Sequence, residues 1–122
     1  MASRPDIVAA LIVGSWARGD AREDSDIDLV LLTEDPAAYT ESDDWIEDLA
    51  PGGRLIRTGD WGAIIERRLL LPSSSLEVEV GVGRRSWAET SPVDPGTRNV
   101  VRAGFLPLFD PQGLLGALAA AC

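Results

Sequence analysis

Seven apolar residues in unbroken succession, Ile7-Val8-Ala9-Ala10-Leu11-Ile12-Val13, stop at Gly14-Ser15. That run limits the fold more than any other feature of the chain. A half-exposed strand alternates polar and apolar residues, and a surface helix repeats its apolar positions every three to four. A short run that is apolar at every position needs cover on both sides, which a strand inside a layered sheet has. A second segment, Asp26-Ile27-Asp28-Leu29-Val30-Leu31-Leu32, alternates acid with apolar residues and then becomes wholly apolar. It predicts a strand whose start reaches the surface and whose remainder enters the same core.

Punctuation between the runs predicts the other elements. Ser15 is a candidate cap for a brief helical turn over Trp16-Ala17-Arg18 that ends at Gly19, and Asp20 to Ser25 reads as a loop. Asp35-Pro36 is a helix start, with Asp35 as cap and Pro36 at the first helical position, and Pro51-Gly52-Gly53 stops that helix after about Leu49. Strands are expected over 54–58, 63–71 and 76–82, with turns at 59–62 and 72–75. A short helix over 97–102, a strand over 105–109 and a C-terminal helix from Pro111 complete the reading. Strands and helices mix without strict βαβ alternation, so the predicted fold is α/β in composition, of the α+β kind: one domain, a mixed sheet with helices packed on it.

The chain has 122 residues and a net charge of -9, with no histidine and one cysteine, Cys122. Without histidine there is no Ser-His-Asp or Cys-His pair and no imidazole-bound metal. One cysteine allows neither an intrachain disulfide nor a thiolate zinc cluster. All eleven basic residues are arginine, so a Schiff-base lysine is excluded as well. Acid-base or metal chemistry must rest on carboxylates. Twelve acids against the single base Arg22 lie between Asp20 and Asp48, a face that repels a nucleic-acid backbone. The apolar runs are too short to span a bilayer and no leader pattern opens the sequence, so a soluble cytoplasmic protein without a membrane partner is expected.

Asp26 and Asp28, two apart in a strand, point to one face. Paired carboxylates repel and are costly to bury unless a cation neutralises them, and a hard divalent ion such as magnesium fits oxygen ligands. Gly14-Ser15, closing the first strand, would let backbone N–H groups and a hydroxyl approach a phosphate. A third acid is offered by Leu76-Glu77-Val78-Glu79-Val80, with Glu79 the preferred base and Glu77 second. In each case a plainer reading stands beside this one: Asp-x-Asp as a solvated strand start, Glu77 and Glu79 as a wet strand face, Gly14-Ser15 as an ordinary turn. Arg18 is equally a phosphate contact or the ion-pair partner of a nearby acid, and Arg84 and Arg85 read as surface ion pairs or as guides for a triphosphate. Trp16, Trp45, Trp61 and Trp87 read as core and cover residues, with Trp16 alone near enough to the motif for a base or ribose contact. The P-loop pattern fails because Asp20 and Ala21 stand where Lys and Ser/Thr are required, and Gly81-Val82-Gly83 lacks the third glycine of a dinucleotide fingerprint.

Gly14-Ser15-Trp16-Ala17-Arg18-Gly19 followed by Asp24-Ser25-Asp26-Ile27-Asp28-Leu29 resembles the signature of the DNA polymerase beta-like nucleotidyltransferase superfamily. Its minimal and aminoglycoside-modifying members share Gly-Ser, ten residues, then Asp-x-Asp. The resemblance implies that residues 1–122 form one nucleotidyltransferase domain in which Asp26 and Asp28 bind Mg2+, with Glu79 as third ligand and base. Gly14 and Ser15, with Arg18, would hold the triphosphate of ATP. Where relatives carry Asp at the third position, this chain has Glu79, one methylene longer. The resemblance further implies transfer to a hydroxyl of a protein or small molecule, with a homodimer mate or a small helical partner protein presenting the acceptor, as in an antitoxin that modifies its toxin. The competing expectation is a catalytically inactive binding module of the same fold.

Overall fold

The computed structural model describes residues 4–22, 26–72 and 76–122. Six strands form one sheet: β1 (Ile7–Val13), β2 (Ile27–Thr33), β3 (Arg54–Asp60), β4 (Ile65–Leu70), β5 (Glu77–Gly83) and β6 (Phe105–Phe109). Their order across the sheet is β3-β4-β5-β2-β1-β6. β2 and β5 run parallel, and the other neighbours are antiparallel. The sheet is therefore mixed, as the sequence predicts.

The all-apolar run explains the layers. Residues 7–11 of β1 are buried on both faces, none more than 6% exposed. On one face Leu29, Leu31, Leu69, Val80 and Val82 pack against Tyr39, Trp45 and Ile46, carried by the short helices α2 (Ala37–Thr40) and α3 (Ile46–Leu49) and the turn between them. On the other face Leu11, Val30 and Leu32 pack against Ala88, Val93, Leu115 and Leu118. Those cover residues come from a 3-10 turn (Arg85–Ala88), the segment after it and the helix α5 (Leu114–Ala121), with α4 (Pro95–Ala103) beside them. Arg67, buried on β4, joins the first face by donating to the carbonyl of Thr40 and to Asp43.

Three expectations are corrected. The single helix from Asp35 to Leu49 is two helices of one turn each, parted over Glu41 to Trp45. Ser42 Oγ accepts the Asp44 N–H and the Ser42 carbonyl accepts the Trp45 indole N–H at 2.8 Å. Such local bonds give Ser and Asp a non-helical alternative. Ser15 does not cap α1 (Ser15–Arg18) but is its first residue, with Gly14 in the capping position and no side-chain cap. Nor does Asp35 cap α2, where Pro36 holds that position. Better-capped helices lie late in the chain: Asp94 accepts the Thr97 N–H, and Asp110 accepts those of Leu115 and Gly116. Part of the expected 20–25 loop and the 72–75 turn, with Asp24 and Ser25 of the motif, lie outside the described residues. Among the described residues no helix is long and apolar enough to cross a membrane.

Leu115 is fully buried and fastens α5 to the sheet, whereas Leu106 on the edge strand is 45% exposed. Leu115→Ala is expected to lower unfolding free energy by about 2–5 kcal/mol in urea titrations, and Leu106→Ala by well under half of that.

Candidate active site

β1 ends where β2 and β5 begin, and α1 follows at this end of the sheet. The parallel pairing of β2 with β5 aligns Asp28 with Glu79, and the antiparallel pairing of β1 with β2 aligns Asp28 with Val13. Gly14 follows at φ 75°, a left-handed conformation that suits glycine. A Cβ on Gly14 would lie 2.6 Å from Asp28 Oδ2. The carboxylate thus lies directly against the glycine backbone, and only a residue without a side chain leaves it that space. Gly104, between α4 and β6, backs the same turn, since a Cβ there would lie 2.6 Å from the Gly14 carbonyl oxygen.

Two side chains that the sequence reading passed over complete the cluster. Glu66 on β4 is 2% exposed. It accepts from the Trp61 indole at 2.7 Å, from Arg57 at 3.1 Å and from Arg68 at 3.3 Å. Arg68, paired with Glu79 across β4 and β5, lies among the carboxylates. Its guanidinium meets Glu77 at 3.0 Å and Asp26, Glu66 and Glu79 at 3.3 Å each. Their signal in the sequence was the charged trio Glu66-Arg67-Arg68 inside an apolar strand, since charges that cannot avoid burial come paired.

Electrostatics follow from the crowding. Burial, then hydrogen-bonding contact with Glu66 and Asp28, pushes the Glu79 carboxyl up to about 8. Burial also acts to raise Glu66, but hydrogen bonds from Glu79, Trp61, Arg57 and Arg68 outweigh it and hold Glu66 at about 2. At neutral pH the two share one proton, on the Glu79 side, because carboxylates in contact do not both ionise freely.

The predicted residues are therefore placed unevenly. Asp28 lies between Glu79, its neighbour on β5, and Gly14. Asp26 precedes β2, about half exposed, and reaches the cluster through Arg68. Glu77 is likewise held by Arg68. Ser15 opens α1 at the same end. Arg18 donates to Asp20 at 3.2 Å and to the Ala103 carbonyl at 3.1 Å. Arg85 pairs with Glu34 and Gln112 on the surface. Trp45 is buried as expected, but Trp61 is 70% exposed and Trp16 39%, so neither is a core residue.

An all-oxygen donor set with too little positive charge suits a hard divalent cation. Among the described residues no three His, Cys, Asp or Glu side chains already surround a common metal position. Arg68 draws Asp26 and Glu79 to itself, so an ion shared by these acids has to displace that guanidinium.

Carboxylates on adjoining strands beside a glycine turn are oxygen donors of the kind that metal-assisted phosphoryl transfer uses. The family model described as Polymerase beta, Nucleotidyltransferase matches residues 1–52, a stretch that holds β1, the Gly14-Ser15 turn, Asp26 and Asp28. The match supports the DNA polymerase beta-like nucleotidyltransferase superfamily, and with it nucleotidyl transfer as the general chemistry. Glu66, Arg68 and Glu79 lie beyond the matched residues. No curated protein gives a significant match.

Two measurements test this geometry. Gly14→Ala combines a strained φ with a contact on Asp28 and is expected to cost about 1–3 kcal/mol or more in denaturant unfolding. For Glu79, the folded value of about 8 against 4.5 in the unfolded chain means its stabilising contribution is complete below pH 4.5 and lost as pH rises to 8. Glu79→Gln cannot ionise. In chelator-treated buffer its Tm relative to wild type should climb by several degrees between pH 5 and pH 8.5. A flat difference would contradict the raised value.

Proposed function

We propose that the protein is a magnesium-dependent nucleotidyltransferase, residues 1–122 forming one such domain, that moves AMP from ATP to a hydroxyl acceptor on a protein or small molecule. The observation that carries this reading is the side-by-side placement of Asp28 and Glu79, with Asp28 lying against Gly14. It supplies adjoining oxygen donors and a proton acceptor next to a turn whose backbone is bare of side chains.

In this reading Asp26, Asp28 and Glu79 hold magnesium, and Gly14 and Ser15 position the triphosphate through backbone N–H groups and the Ser15 hydroxyl. The bound metal supplies Lewis-acid stabilisation of charge on the transferring and leaving phosphates. With magnesium at these carboxylates, Glu79 gives up the proton that it otherwise carries. The ionised Glu79 then takes the proton from the acceptor hydroxyl, the acceptor oxygen forms a bond to the α-phosphorus, and the bond from that phosphorus to the bridging oxygen breaks, releasing pyrophosphate. Glu66, ionised and fixed by Trp61, Arg57 and Arg68, keeps Glu79 in place. The family resemblance adds a small helical partner as acceptor, in an antitoxin role, or a dimer mate that completes the site.

A second reading is favoured by one contact. Arg68 already neutralises Asp26 and Glu79, as an inactive binding module without metal would require. Incubation with magnesium, extract from the native host and ATP labelled in its α-phosphate separates the two. Label should appear on a protein or small molecule with wild type and fall at least 100-fold with Asp26→Ala/Asp28→Ala. Equal labelling by both proteins sinks the enzyme reading.

A further inference from the structure

Beside the carboxylates the sheet opens into an apolar pocket of about 190 Å³. Val13, Ile64 and Val100 line it together with two tryptophans, Trp61 from the β3–β4 turn and Trp87 from the 3-10 turn, while Asp28, Glu66 and Glu79 form its polar end. Gly81 leaves room for the floor, because a Cβ there would come within 3.0 Å of Ile64 Cγ2.

Trp61 is the unusual member. An indole that is 70% exposed contributes little to the core, and a free one would sample several rotamers. This one is pinned, because its N–H is given to the buried carboxylate of Glu66 at 2.7 Å. Fixing a large exposed ring by its polar edge leaves a flat apolar face presented at the mouth of the pocket, the arrangement used to stack planar ligands. The volume suits a ring, being somewhat larger than the roughly 150 Å³ apolar cavity that admits benzene.

We infer that this pocket receives the nucleobase of the donor nucleotide, stacked on Trp61. The inference rests on the nucleotidyltransferase reading of the adjoining carboxylates. Continuity of the site carries it: Val13, which lines the pocket, directly precedes Gly14, and Asp28 and Glu79 belong both to the pocket wall and to the reaction centre. A nucleotide whose α-phosphate lies at those acids extends its ribose and base from there, and this is the apolar opening that adjoins them. The pocket's polar end is already occupied, with Glu66 accepting from Trp61, Arg57 and Arg68. Recognition is therefore by ring face more than by base edge, so purine donors should differ little among themselves.

Titration of Mg-ATP, Mg-GTP and Mg-tripolyphosphate against the wild-type protein, Trp61→Ala and Trp61→Phe, followed by calorimetry, tests this. Wild type should bind ATP and GTP within a few-fold of each other, and both on the order of 10-fold or more tighter than tripolyphosphate. Trp61→Ala should erase that advantage without weakening tripolyphosphate. Trp61→Phe, which keeps a ring and loses the N–H, should restore part of it. Tripolyphosphate binding as tightly as ATP, or an advantage that survives Trp61→Ala, overturns the base pocket and leaves the nucleotidyltransferase reading standing. Unchanged nucleotide affinity with slower labelling of the acceptor also overturns it, because the ring in the pocket is then the acceptor's. Binding of none of the three overturns the nucleotidyltransferase reading and this inference with it.

Discussion

The parallel pairing of β2 with β5 is the constraint on which the rest of the molecule depends. Among the described residues it is the one parallel pairing in the sheet, and it brings together Asp28 and Glu79, two residues that would not choose each other's company in water. Their proximity is unfavourable taken alone. It is imposed by the apolar remainder of both strands, Leu29 to Leu32 and Val80 to Val82, which are held in the core. A slip of one residue would carry Asp28 to the opposite face of the sheet and undo its alignment with Glu79. Core packing thus forces the carboxylates together, and the local charge imbalance is the stored consequence.

The protein answers that imbalance with arginine. Arg68 has contacts to four acids and Arg57 supports Glu66 from the far side. A guanidinium suits this role because it offers several donors in a fixed plane and stays charged at any working pH. Glu66 then acts as a relay: ionised and saturated with donors, it leaves Glu79 as the member of the pair that holds a proton. Chemistry at Glu79 and the posture of Trp61 are linked through this one buried side chain.

Much of the architecture was legible in the sequence because its cause is local. An unbroken apolar run such as Ile7 to Val13 can only be an inner strand, and Asp26-Ile27-Asp28 at the start of another announces acids at a strand end. The helix after Pro36 was misread because Ser42, Asp43 and Asp44 bond to nearby backbone and side chains, which periodicity does not register. Glu66 and Arg68 were not legible as site residues because their meaning depends on β4 lying beside β5. Trp61 was counted with the core, since a sequence does not tell whether a tryptophan next to a glycine turn folds inward or stands out. Asp26, Asp28 and Glu79 were singled out from spacing; Arg68, seated between two of them, was not.

The backbone contact of Gly104 with Gly14 bears on when the site comes into being. Arg18 at the end of the glycine turn bonds to the Ala103 carbonyl, 85 residues away along the chain, and Gly104 is the next residue. Closing so long a loop costs more chain entropy than pairing β1 with β2. The turn at Gly14 is encoded near the start of the protein, yet it acquires its backing only when α4 and β6 dock. During folding, β1 and β2 can pair early while the Gly14 turn stays unsupported, and the last third of the chain finishes what the first tenth begins.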